Sequence, residues 1–514
     1  MGVACASAPI RKADQAELDR ADAAVLEGCY DCLIEARTIY ARLAVGRARP
    51  LLVGRLFETE LLIALREKEL AMDAGESLAR ARALVGELAA GADGARVLAL
   101  ADAVPADAYG TPRRALQQFR RTRSAFLKGL PQELAWLETT PLAVPVRQYL
   151  ALSLDCAYRA GPRQARVRQA VISATFEMPR MQVPADAPPL LTYRNATCVT
   201  LDTPALEAIL AAVPRFVEAN YPLGRNAVAL VQQRGDTVKT RAIVQAAYAR
   251  FPQSPSVTYL NGAFNQMIGD CKVALGFYDE TLALQPVHED GLLGRTMCLT
   301  FLTRTDEAIA AATHMVTLGT DNVIEAFYWR SWNHHFRQEL PPARRDIDRA
   351  KTMGSNPRIH TLAGVIEHDQ DDLDISEEDL RIARGMSGGN RNCTAAWYLG
   401  LVLMKREQWT PSAVWFEQAM ACYDQNVRES LDGLQKMRVN PDLDEEFRAA
   451  QIAGFEAALV EDRRQYHAAA FNAANHYARG GAPEKAKPLI DIAARDPTLA
   501  PRVADLRRAI GGSF

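Results

Sequence analysis

The sequence predicts an all-α fold, a superhelical solenoid of antiparallel helix pairs, and three observations predict it. Ala, Leu, Arg and Glu dominate the chain, while the alternation of Val, Ile and Thr that marks strands is scarce. Gly235-Asp236 returns 34 residues later as Gly269-Asp270, each time between two apolar helical stretches. Columns of mostly small residues run through the same region at shared intervals.

The first column is Val228, Gly262, Thr296, Ser331, Gly364 and Gly400. The second is Thr240, Ala274, Ala308, Ala343, Ser376 and Ser412, and the third Ala247, Thr281, Met315, Ala350, Ala383 and Ala419. All three step by 34, 34, 35, 33 and 36 residues. Small side chains at matched places let two helices approach closely, and a larger residue four positions on fills the groove beside them, as Tyr278 follows Ala274 and Phe416 follows Ser412. Pro252, Pro286 and Pro357 stand where a second helix must stop.

In these features the chain resembles the tetratricopeptide-repeat family. Leu260–Pro286 carries Gly262, Gly269, Ala274, Tyr278 and Pro286 in the expected places, and Trp397–Ala419 carries Leu399-Gly400, Trp409, Phe416 and Ala419. A later unit shows Ala474, Tyr477, Gly481, Ala486, Ile490, Ala493 and Pro497, with 499–510 as a polar capping helix. The bulky Met315 and the missing first-helix aromatics in the Thr296 and Gly364 units depart from the pattern and blur unit boundaries.

The predicted organisation follows. Residues 1–15 form a tail, 16–178 an N-terminal helical region of degenerate pairs, and 179–220 a proline-rich connection and leading helix. Residues 221–425 hold about six repeats, 426–465 a charged helical insertion broken near Val439-Asn-Pro441, and 466–514 a terminal repeat with its cap. Within the N-terminal region, 56–88 reads as two helices broken around Ala74-Gly75-Glu76, with 112–137 and 144–160 as further helices.

A formal net charge of −2 over 514 residues gives no general attraction to nucleic acid or acidic lipid, and no apolar run is long enough to span a bilayer. Of the nine cysteines only Cys29 and Cys32 are close in sequence, so the dispersed ones are expected to be small buried side chains. Met1-Gly-Val-Ala-Cys-Ala-Ser-Ala-Pro9 is similar to the end of a bacterial lipoprotein signal, in which Cys5 would be acylated. The charged and apolar segments expected upstream are missing, and Gly2 stands where a Leu is usual. The opening Gly28-Cys-Tyr-Asp-Cys-Leu33 also resembles tetratricopeptide-containing lipoproteins. That resemblance implies an outer-membrane or periplasmic location, in which Cys29 and Cys32 can pair; a cytoplasmic chain with two buried thiols is the alternative. Neither a thioredoxin-like strand–helix context nor a second Cys or His pair at zinc spacing accompanies them.

His334-His335 lies in an aromatic-rich helix, but adjacent helical residues point about 100° apart, so the two rings cannot share a metal unaided. First helices line the concave face of such arrays. The Ser331 register places Tyr328, Trp332 and His335 there, with Arg225, Tyr259, His368, Trp397 and Lys405 from other units. Glu367–Asp374 lacks the Gly and closing Glu of a calcium loop and reads as a solvated turn, with Ser376 capping the next helix. No catalytic signature, metal site or cofactor motif stands out. The expected function is a non-enzymatic scaffold holding an extended peptide or partner helix. The paired Lys and Asn of the chaperone-tail clamp are not found. A glycan-binding surface built on Trp332, Trp397 and Tyr328 is the alternative, and an enzyme site in the N-terminal half a third.

Overall fold

The computed structural model describes residues 12–45, 49–88, 93–106, 126, 128–160, 183–184, 186–198, 201–234, 236–386, 388–441, 443 and 445–511. Among them the regular structure is helical throughout. Cys5 and Gly235 lie outside the described residues, as does most of the predicted 112–137 helix. The chain divides into two compact units, one ending at Gly294 and one beginning at Arg295.

The first unit opens with α1 (Lys12–Glu27) and α2 (Tyr30–Leu43). Between them Gly28 turns the chain at φ 70°, where a Cβ would meet Leu190 at 2.5 Å. α3 (Arg49–Glu69) and α4 (Gly75–Leu84) flank the predicted break, and α5 (Gly94–Ala103) and α6 (Val144–Ala160) follow. Proline content predicts an irregular connection next, yet α7 (Pro189–Cys198) and α8 (Thr203–Ala212) are helices. Each begins with a proline in its first turn, where no N–H is required, and Leu190, Tyr193, Leu206 and Ile209 carry them into the core.

Arg66 is fully buried in this unit, its guanidinium 4.0 Å from the Tyr193 ring, 4.9 Å from Phe216 and 5.3 Å from Tyr149. It donates to the Gly28 carbonyl at 2.9 Å and to Glu69 at 3.0 Å. Its Nε makes no hydrogen bond among the described residues and lies 3.9 Å from Glu218. Desolvating this charge is tolerable because both terminal nitrogens donate, two carboxylates stand beside it and its faces are covered by π systems.

The repeats begin with α9 (Asn220–Arg234) and α10 (Thr237–Arg250), then α11 (Pro255–Met267) and α12 (Cys271–Leu284). α13 (Glu289–Phe301) and α14 (Thr305–Leu318), α15 (Val323–Phe336) and α16 (Leu340–Met353), α17 (Pro357–Asp369) and α18 (Leu373–Gly385) continue the series. α19 (Cys393–Lys405) pairs with α20 (Trp409–Val439).

Steric exchange explains the columns. A Cβ on Gly262 would sit 2.7 Å from the Tyr278 ring, on Gly364 2.5 Å from Leu380, and on Gly400 2.8 Å from Phe416, each partner sixteen residues on. Where the first residue is Thr296, the sixteenth residue on is Ala312. Volume lost on one helix is restored on its partner, as close packing demands. In six successive hairpins, from α11–α12 onward, the turn holds a left-handed residue: Gly269, Thr303, Gln338, Asp371, Glu407 and Gly481. Ser376 does not cap α18. It lies inside the helix and donates to the Gly364 carbonyl at 2.7 Å.

The charged stretch predicted as an insertion is a prolongation of two repeat helices. α20 runs for 31 residues and α21 (Glu445–Arg479) for 35, where the other α-helices described in the second unit have 11 to 14. The break falls at Asn440-Pro441 as expected. Leu434, Leu443, Phe447 and Leu459 are buried along the extension, and Gly433 lets the Phe455 ring approach. α22 (Pro483–Ala493) and α23 (Ala500–Gly511) close the array. α23 buries Val503, Leu506 and Ile510 and exposes a polar face, as a cap requires.

The dispersed cysteines are a correction. Cys156–Cys198 and Cys393–Cys422 are disulfides, with Cα separations of 5.3 and 5.4 Å, because neighbouring helices bring together residues 42 and 29 positions apart. Cys29–Cys32 is bonded as well, at the N-terminus of α2.

Candidate binding groove

In the second unit the first helices α15, α17 and α19, with the prolonged α20 and α21, wall a groove of about 930 Å³. α15 supplies Tyr328, Trp332, His335 and Phe336, one face at spacings of three and four. Trp332 and Phe336 are exposed, at 43% and 62%. Leu362 and Val365 form an apolar floor from α17, and Tyr398 enters from α19. Tyr423 and Asn426 come from α20 and Asp462 from α21.

The charged groups are arranged unevenly. Arg358 lies over the Tyr328 ring at 4.3 Å and pairs with Glu325 at 3.5 Å. Arg391 pairs with Glu429 at 2.8 Å, and His335 Nε2 with Asp369 Oδ2 at 2.8 Å. Asp369 also meets His368 Nδ1 at 3.0 Å, and these two imidazoles hold its carboxyl below the usual range against the opposing effect of burial. Asp462 accepts from Asn426 at 3.3 Å; burial and the neighbouring Glu461 push its carboxyl up. Burial pushes the Tyr423 hydroxyl up to about 12, with Asp462 and Glu461 adding to it.

Of the residues expected on the concave face, Tyr328, Trp332 and His335 line this groove together. His368 is buried behind it, edge-on to Tyr398 at 5.2 Å. Lys405 donates to the His368 carbonyl at 3.0 Å and to Asp371 at 2.8 Å, closing the C-terminal end of α17. Trp397 packs edge-on against Phe416 at 5.3 Å between helix layers, so it does not join Trp332 and Tyr328 in a flat platform. Arg225 and Tyr259 belong to the first unit, Arg225 over the Tyr221 ring at 5.6 Å and Tyr259 stacked on His288 at 5.0 Å. His334 engages Glu339 at 2.6 Å, so the adjacent imidazoles are held by different carboxylates.

Phe336, Arg358, Tyr398, Tyr423, Asn426 and Asp462 were not expected there. Phe336 could have been found as the next turn of the Trp332 face. Tyr423, Asn426 and Asp462 arise from helices prolonged beyond the repeat, where the period carries no signal. Glu367, read as part of a solvated turn, is instead fully buried, 3.3 Å from Arg344 and 3.6 Å from Lys351.

No family model and no curated protein matches the chain. Among solved structures it is similar to the APC/C hetero-tetramer Cut9–Hcn1, at 13% identity over 85% of this chain and 90% of that one, TM-score 0.37. Yeast Tom70 is similar at 13% identity over 88% and 96%, TM-score 0.35. Naa15/Naa10 bound to HypK-THB is similar at 11% over 60% and 56%, TM-score 0.25. The assignment of the fold rests on the hairpins themselves. Their period, small-to-large packing and left-handed turns are those of a tetratricopeptide-type α-solenoid.

Proposed function

We propose that the chain is a protein-interaction scaffold whose second unit holds an extended peptide or a partner helix in the groove between α15 and α21. The observation that carries this reading is the exposure of Trp332 and Phe336 beside an apolar floor, in a groove of about 930 Å³. Large aromatic side chains left open to solvent along a concavity lose water only when a partner covers them. Peptides drawn from a random displayed library supply the test. Trp332→Ala and Tyr398→Ala should each weaken the best peptide at least about tenfold. Trp397→Phe should leave its affinity unchanged; the opposite pattern would place the binding surface elsewhere.

We further propose a tether at Cys5 in a bacterial envelope. Val3-Ala4-Cys5 and the small residues after it support the anchor. The Cys29–Cys32, Cys156–Cys198 and Cys393–Cys422 disulfides suit an oxidising compartment. Intact mass and detergent partitioning of the protein expressed from its native gene decide the point. A diacyl- or triacyl-glyceryl mass on Cys5 supports the tether, and an unmodified soluble chain retaining Met1 removes it.

A further inference from the structure

The charges lining the groove do not balance, and the imbalance specifies its occupant. Each basic side chain on the wall already faces a carboxylate: Arg358 faces Glu325, Arg391 faces Glu429 and His335 faces Asp369. Asp462 faces no cation among the described residues. Its neighbour Glu461 is engaged by Arg464, so that arginine's charge is spent outside the groove. Asn426 satisfies one oxygen of Asp462 at 3.3 Å, while the tyrosines Tyr398 and Tyr423 line the same groove. A half-buried carboxylate beside aromatic rings is a receptor for a cationic side chain, which gains an ion pair and the negative faces of the rings together. The exposed rings of Trp332 and Phe336, on α15, require apolar neighbours of that cation.

We propose that the occupant is a protein segment that presents a Lys or Arg side chain to Asp462 and apolar side chains to Trp332 and Phe336. This rests on the peptide-binding reading and sharpens it to a basic–apolar segment. Acidic tails are disfavoured by the same arrangement, since the lining arginines are already neutralised and Asp462 would repel them.

Selection of a random displayed library of twelve-residue peptides on the full-length chain, followed by titration of the best synthetic peptide, tests it. Recovered sequences should share a Lys or Arg beside an aromatic or branched aliphatic residue. Asp462→Asn, nearly isosteric and half-buried, should weaken the peptide about tenfold while leaving the thermal midpoint in place. Replacing the peptide's basic residue with norleucine should weaken wild type equally and leave Asp462→Asn unaffected, since the two changes remove one interaction. Peptides that lack a basic residue, or that bind Asp462→Asn as tightly as wild type, yet fail on Trp332→Ala, overturn this proposal and leave the groove reading standing. Peptides indifferent to Trp332→Ala, or a selection that recovers none, overturn both.

Discussion

The Ser412 hydroxyl donates to the Gly400 carbonyl at 2.5 Å, across the hairpin of α19 and α20 and twelve residues along the chain. Ser376 does the same to Gly364 at 2.7 Å, and Ser331 to Ala343 at 2.7 Å with the direction reversed. Two sequence columns therefore touch each other in space. The bond forms because the residue opposite is small enough for the helices to close, and it satisfies a hydroxyl that burial would otherwise leave costly.

That closeness sets the first prediction. Gly400→Ala places a methyl 2.8 Å from the Phe416 ring, which is fully buried and cannot move outward. The expected loss is about 1–3 kcal/mol by denaturant unfolding. Gly276, exposed on α12 with nothing within 4 Å of its added Cβ, is the control. Gly276→Ala should stabilise by about 0.5–1 kcal/mol, because there only backbone entropy changes. Equal effects at the two sites would refute the steric account of the column.

The hairpin turns make a second prediction. Glu407 holds φ 57° and Gln338 φ 61° in places where Gly269 and Gly481 stand in other hairpins. A side chain at positive φ costs about 1 kcal/mol, which glycine does not pay. Glu407→Gly and Gln338→Gly should each raise stability by a few tenths to about 1 kcal/mol, and Gly269→Ala should lower it. Glycine variants that melt lower than wild type would show that local hydrogen bonds hold these side chains in place.

The same positions show how far the sequence could be read. A repeat returns each hairpin contact at a fixed interval, so the column of Gly262, Gly364 and Gly400 was legible as a site of close approach, while its partners Tyr278, Leu380 and Phe416, sixteen residues on, came only with the structure. The lining of a groove depends instead on how far each hairpin is rotated. Adjacent helical residues differ by about 100°, and one such step puts Tyr398 in the groove and Trp397 against Phe416. Pairs such as Cys393 and Cys422 depend on the distance between two helices at one level, which no spacing encodes.

His476 carries a pH prediction. It is 2% exposed on α21, and the Ser412 hydroxyl, already donating to Gly400, must accept from its Nδ1–H at 2.9 Å. Burial, with Arg479 nearby, pushes its pKa down to about 4 from 6.5. The unfolded chain therefore takes up a proton that the folded one refuses. The stability His476 contributes is complete above pH 6.5 and falls away between pH 6.5 and 4, by about 3 kcal/mol at the low end. His476→Gln should flatten that part of the stability profile between pH 7 and 4. An unchanged acid limb would assign the loss to other groups.

The Cys393–Cys422 bond joins the first turn of α19 to α20 beside Tyr398, Tyr423 and Asn426, so its removal should act on stability and on the groove together. Closing a loop of 29 residues is worth about 3–4 kcal/mol of unfolded-state entropy. Cys393→Ser with Cys422→Ser should lose up to that amount in denaturant unfolding, while reductant lowers the wild-type midpoint and leaves the double variant's less affected. Both cysteines are 6% exposed, so reduction of the folded protein should be slow and should speed up with partial denaturant. Because the bond fixes the wall that carries Tyr398, a groove-binding peptide should bind the double variant more weakly, with faster dissociation. A variant that keeps full affinity while losing stability would separate the clip from the groove and leave it a purely structural tie.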